Sequence, residues 1–138
     1  MPTDPLSALS LAKLVGSHLA TWLRNLARAK WDRQQESLRA VNGVVAALRM
    51  TQAYTRGLQA GERNHSTEGE MAAKWTELAY ELERLGLDAL AKKCDVSGRY
   101  WADPRQFDQA FLEQAGTDLA VLEKQARELQ ARIKSGLA

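Results

Sequence analysis

The chain has 138 residues, enough for one sizeable core, and its 45% hydrophobic and 26% charged residues exclude wholesale disorder. Its single cysteine, Cys94, excludes an internal disulfide and a cysteine-built zinc cage. The net charge of +2 is unevenly placed: residues 1–60 hold eight Lys/Arg against three Asp/Glu, and residues 61–138 hold eleven against fourteen. Such an asymmetry marks either a half that faces an anionic partner or two halves that attract each other.

Strand signals are weak, because β-branched residues are sparse outside Val41 to Val45, and the whole chain reads as helix. Asp4-Pro5 supplies an N-cap followed by a proline at the first helical position. From there Leu9, Ala12, Gly16, Leu19, Leu23 and Leu26 recur at spacings of three and four, and a second stripe of Leu11, Val15, His18 and Trp22 lies beside them. This first helix, about 5–30, is therefore apolar over a wide arc. Lys13, His18 and Arg24 interrupt the run, which excludes a membrane span, and Met1-Pro2-Thr3-Asp4 does not open a signal peptide. The expectation is a cytoplasmic protein with no membrane attachment.

A break is placed at Trp31-Asp32, with Asp32 as cap and Gln35 closing the box. The second helix, 32–59, carries Leu38, Val41, Val45 and Leu48, and Gly61 stops it. After the polar loop Gly61 to Thr67, Thr67 and Glu70 form a capping box for a helix over 67–85. Its stripe of Met71, Trp75, Leu78, Leu82 and Leu85 is the cleanest in the chain, and Gly86 suits the left-handed position that ends helices. A short segment, 88–95, carries Leu90 and Cys94. Gly98 to Pro104, with Arg99, Tyr100 and Trp101 in its middle, reads as a loop, with Trp101 packing as a lid toward Phe107. Asp103-Pro104 then starts the last helix, 104–134, whose stripe runs Phe111, Ala115, Leu119, Leu122, Ala126, Leu129 and Ile133. With 67–85 and 88–95 counted as one rod, four rods of roughly 37–46 Å predict an all-α, single-domain antiparallel bundle over 1–138.

Catalytic chemistry has little to stand on. Neither His18 nor His65 has a glutamate three residues before it, so the Glu-x-x-His pairs of helical di-iron sites are missing. His65 stands among Glu62, Glu68 and Glu70, where capping and the helix dipole already account for carboxylates. There is no Gly-x-Ser-x-Gly elbow and no phosphate-binding glycine pattern, and Cys94 on an apolar face reads as a small hydrophobe. Glu77 and Glu81 share a helix face and read as surface charge.

The sequence therefore predicts no enzyme, no metal and no cofactor, but a helical interaction or scaffold module that meets another protein or a second copy of itself. Leu11, Val15, His18 and Trp22 of the first helix, with Arg99, Tyr100 and Trp101, are its candidate contacts. The rival reading is a nucleic-acid-binding or regulatory protein using the basic corner Arg24, Arg28, Lys30, Trp31, Arg33 and Arg39, where cations interleave with an aromatic.

Overall fold

A computed structural model describes residues 19–115 and 117–137. Asp4-Pro5 and the stripe residues Leu11, Val15 and His18 lie outside the described residues. Among those described there is no strand, and the helices are α1 (Leu19–Arg28), α2 (Trp31–Gln59), α3 (His65–Arg84), α4 (Asp88–Ala102), α5 (Gln109–Gln114) and α6 (Leu119–Leu137), with one turn of 3-10 helix at Pro104–Gln106. The all-α fold expected from the sequence is what forms.

The core is built from the stripes. Val41, Val44, Val45 and Leu48 of α2 meet Met71, Trp75, Leu78 and Leu82 of α3, Leu90 and Cys94 of α4, and Leu122, Ala126, Leu129 and Ile133 of α6; all are buried. Helix α2, 29 residues and so about 43 Å long, is the central rod. Along it α3 runs antiparallel, since Thr51 meets Trp75 and Glu36 meets Arg84. On another side α6 also runs antiparallel, with Gln52 bonded to Glu123 at 3.1 Å and Asn42 bonded to Gln130.

Two of the rods differ from expectation. Segments 67–85 and 88–95 do not lie end to end but fold into the antiparallel α3–α4 hairpin. Gly86 at φ +88° explains the reversal. Its N–H donates to Glu83 O, the Leu87 N–H donates to Leu82 O, and the side chains of Leu82 and Leu87 are both buried. This is the Schellman closure, which a Cβ at Gly86 would strain. Gly61, at φ +85°, ends α2 by the same pair of bonds, to Leu58 O and Gly57 O.

The last rod is interrupted. Asp108 Oδ1 accepts the Phe111 N–H at 2.7 Å to start α5, and Asp118 Oδ1 accepts the Val121 N–H at 3.2 Å to start α6. Between them Thr117 bonds twice to Leu112 O. The stripe inferred across the break holds for Leu122 onward, whereas Phe111 is exposed.

Three boundaries shift for local reasons. The cap of α3 is Asn64, whose Oδ1 accepts the Thr67 N–H at 3.0 Å, so Thr67 is the recipient rather than the cap. Helix α2 begins at Trp31 with no side-chain cap; in place of an Asp32 box, Gln34 donates to Leu26 O at 3.1 Å, satisfying the end of α1. Most consequentially, Gly98, Arg99, Tyr100 and Trp101 are not a loop but the last turns of α4, which ends at Asp103 because Pro104 disfavours helical geometry in the residue before it.

Gly98 serves contact, not a turn. A Cβ there would stand 2.5 Å from Thr76 Oγ1 and 3.2 Å from both Ala72 O and Thr76 N, so α4 presses directly on the α3 backbone. Rotating Thr76 relieves one clash and leaves two. Gly98→Ala is therefore expected to cost about 1–3 kcal/mol in urea unfolding. Gly69→Ala, on α3 with nothing within 4 Å, is expected to stabilise by about 0.5–1 kcal/mol; equal effects at the two sites would contradict the close approach.

Candidate functional site

The described residues offer two regions with functional character, one at each end of α2. At its C-terminal end an aromatic row crosses from α2 over α4 to α5. Tyr54 meets Trp101 edge-on at 5.5 Å, Trp101 meets Tyr100 edge-on at 4.9 Å, Tyr100 lies 6.3 Å from Phe107, and Phe107 lies 5.3 Å from Phe111. Edge-to-face pairing adds to the area each ring buries. Trp101 is buried and packs on Tyr54 and Tyr100; it is Tyr100, half-buried, that reaches Phe107. Arg99 points outward and pairs with Asp95 at 3.0 Å, one turn back.

Beside this row stands a carboxylate that is not a loop acid but a buried one. Glu68, in the first turn of α3, is 4% exposed. Its Oε2 accepts the Tyr54 O–H, its Oε1 accepts from Arg63 at 3.2 Å, and His65 Nδ1 stands 3.8 Å away. The Tyr54 oxygen also accepts the Asn64 N–H at 2.9 Å. Desolvation, followed by the bond to Glu68, raises the Tyr54 hydroxyl above its usual range, so it stays a donor. A cleft of about 590 Å³, lined by Arg63, His65, Glu68, Trp101, Asp103 and Arg105, opens over this cluster. Asp103 lies 3.7 Å from Arg105 and Glu68 is bonded to Arg63, so acid and base are already matched on its walls. Among the described residues no group of three His, Cys, Asp or Glu is arranged to hold a metal ion. Glu68 is fixed by Tyr54 and Arg63, with His65 nearby, and it ties the start of α3 to α2.

Cys94 is fully buried, and burial pushes its thiol up to about 12, so the nucleophilic thiolate is suppressed. Glu77 is exposed and Glu81 is paired to Arg84.

At the N-terminal end of α2 lies the basic corner. Arg24, Arg28, Lys30, Arg33 and Arg39 are all exposed, and Trp31 is 69% exposed. They are not equivalent. Arg33 Nη2 donates to Leu85 O at 3.3 Å, the same carbonyl that accepts the Trp22 Nε1–H at 2.8 Å, so Arg33 and Trp22 clamp the corner to the end of α3. Trp22, the one member of the second apolar stripe within the described residues, is thus turned inward. Arg28, Lys30 and Arg39 make no ion pair among the described residues, and Trp31 is a large apolar side chain left mostly in solvent. Nearby, Arg84 bridges Glu36 and Glu81, which lowers the Glu36 carboxyl and raises the Arg84 guanidinium.

Comparison of the chain with protein-family models, curated proteins and solved structures finds no match. Functional inference rests on this geometry.

Two outcomes follow. Trp101→Ala is expected to lose about 3–5 kcal/mol in unfolding free energy, the usual cost of removing a buried indole; a loss below 1 kcal/mol would mean the aromatic row does not close the bundle. For Glu36, whose folded pKa lies below the ordinary 4.5 because Arg84 holds the anion, the stabilisation is present above that value and disappears as pH falls through the folded pKa. The difference in Tm between the wild type and Glu36→Gln should therefore shrink from pH 6 to pH 3 in thermal scans, and a constant difference would refute the pairing.

Proposed function

We propose that the protein is a non-enzymatic helical interaction module whose docking surface includes the α1–α2 corner. The observation that carries this reading is Trp31: a tryptophan 69% exposed, next to Lys30 and across the α1–α2 break from Arg28, neither of which makes an ion pair among the described residues. Tryptophan and arginine are the residue types that most often dominate the energetics of protein interfaces. The corner is held rigid by the bonds of Trp22 and Arg33 to Leu85 O, so its exposed side chains are presented at little ordering cost. Its positive charge favours an acidic partner surface, and the acidic half of a second copy, residues 61–138, meets that description. The wide apolar arc expected for residues 5–30 supports self-association.

A second reading, binding of single-stranded nucleic acid, draws on the same exposed ring among cations. The two separate by experiment. Sedimentation velocity from 1 to 100 micromolar is expected to show a concentration-dependent oligomer that Trp31→Ala weakens, while its Tm stays that of the wild type. A strict monomer removes self-association. Anisotropy of a labelled single-stranded RNA tests the rival: binding that falls steeply with salt and vanishes in Arg28→Glu/Lys30→Glu would establish nucleic acid as the partner. Arg33 is left intact in that variant because its side chain also holds the fold.

A further inference from the structure

Among the described residues the two most exposed large hydrophobic side chains are Trp31 and Tyr80, each 69% exposed. Their surroundings are of opposite sign. Trp31 stands beside Lys30 and across the α1–α2 break from Arg28, whereas Tyr80 lines a groove of about 320 Å³ between α3 and α4 together with Glu83, Asp88 and Asp95. Ala79 and Ala91, both small and buried, line it too and leave the depression between the helices. Lys92 is the one cation among its lining residues.

Two of the three carboxylates are unmatched. Asp95 is held by Arg99 at 3.0 Å, but Glu83 and Asp88 are exposed and make no ion pair among the described residues. The groove thus carries negative charge beside an exposed phenol ring, the counterpart of a corner that carries unpaired positive charge beside an exposed indole. Opposite charge across a contact selects the partner and fixes its register. Tryptophan, tyrosine and arginine are the side chains that dominate such contacts, and those of one surface tend to meet those of the other. Within one chain the two surfaces do not cover each other, since both rings stay in solvent. They do lie at the same end of the bundle: Glu83 and Asp88 flank Leu85, whose carbonyl accepts from Trp22 and Arg33 of the corner.

We propose that the α3–α4 groove is the surface on which the Trp31 corner of a second copy docks, the indole lying against Tyr80 over Ala79 and Ala91, with Arg28 and Lys30 opposite Glu83 and Asp88. The inference rests on the corner being a docking surface and names what it meets. Because both surfaces belong to one end of the bundle, two copies related by a two-fold axis make the contact twice, and the assembly closes as a dimer.

Sedimentation velocity of the full chain is expected to show a dimer that loosens as salt rises and that Tyr80→Ala weakens about tenfold or more. Tyr80 is exposed and makes no hydrogen bond among the described residues, so that variant should keep the wild-type Tm. Charge reversal gives a second reading that does not depend on small changes in stability. Arg28→Glu/Lys30→Glu and Glu83→Lys/Asp88→Lys, each alone, set like charges against each other and should be monomeric, whereas their equimolar mixture should recover the dimer. Failure of the mixture to recover it would overturn the proposal. So would a wild-type dimer that Trp31→Ala weakens but Tyr80→Ala and Glu83→Lys/Asp88→Lys leave unchanged, a result that keeps the corner as a docking surface and moves its partner elsewhere. A wild-type chain that stays monomeric at every concentration also overturns it, and leaves the corner to a different acidic protein.

Discussion

The fold turns on one buried hydrogen bond. Trp75 is wholly enclosed at the centre of the bundle, and its indole N–H has no route to water. Leaving that donor unpaired would cost about 1–3 kcal/mol. Thr51 of α2 meets it at 3.0 Å, and the Thr51 hydroxyl is itself oriented by donating to Ala47 O at 2.8 Å. Apolar stripes alone are non-directional and would tolerate a slip of one turn between α2 and α3. A slip of one turn breaks this bond, so the bond sets the register, and the contacts placed along it follow: Tyr54 over Glu68 at one end, Glu36 beside Arg84 at the other.

At the far end of α3 a single carbonyl plays a comparable part. Helix termini leave carbonyls without intrahelical partners. Leu85 O, at the C-cap, is claimed by both Trp22 and Arg33. Because the Schellman turn at Gly86 folds α4 back immediately, that carbonyl stays accessible to α1 and α2. The chain's change of direction at Ala29 and Lys30 then leaves Trp31 outside. The exposed aromatic of the corner is thus a by-product of how α1 is anchored, and the anchoring makes it a rigid feature of the surface.

The other end is organised by Trp101, which walls the cleft over Glu68. Its position depends on α4 continuing through Gly98, where the missing side chain lets the helix lie against Ala72 and Thr76. In that cleft the polar groups satisfy one another, Glu68 with Tyr54 and Arg63, so the cluster is structural.

Much of this was legible in the residues. The helical class followed from period and propensity. The faces of α2, α3 and α6 followed from the spacing of Val41, Val45, Trp75, Leu82, Leu122 and Ile133, and Gly61 and Gly86 were recognisable ends, because local sterics alone put glycine there. The breaks at Asp108 and Asp118 were written as caps, but the three/four spacing across them masked the signal. What the sequence left open is whatever depends on residues distant in the chain. That Gly98 marks a contact rather than a turn requires Thr76 and Ala72 beside it. That Glu68 is buried requires Tyr54, and that Trp31 is bare while Trp22 is not requires Leu85 O. Local patterns decide which face of a helix is apolar; only the tertiary structure decides which neighbour covers it, and so which polar atoms find a partner and which remain to be met.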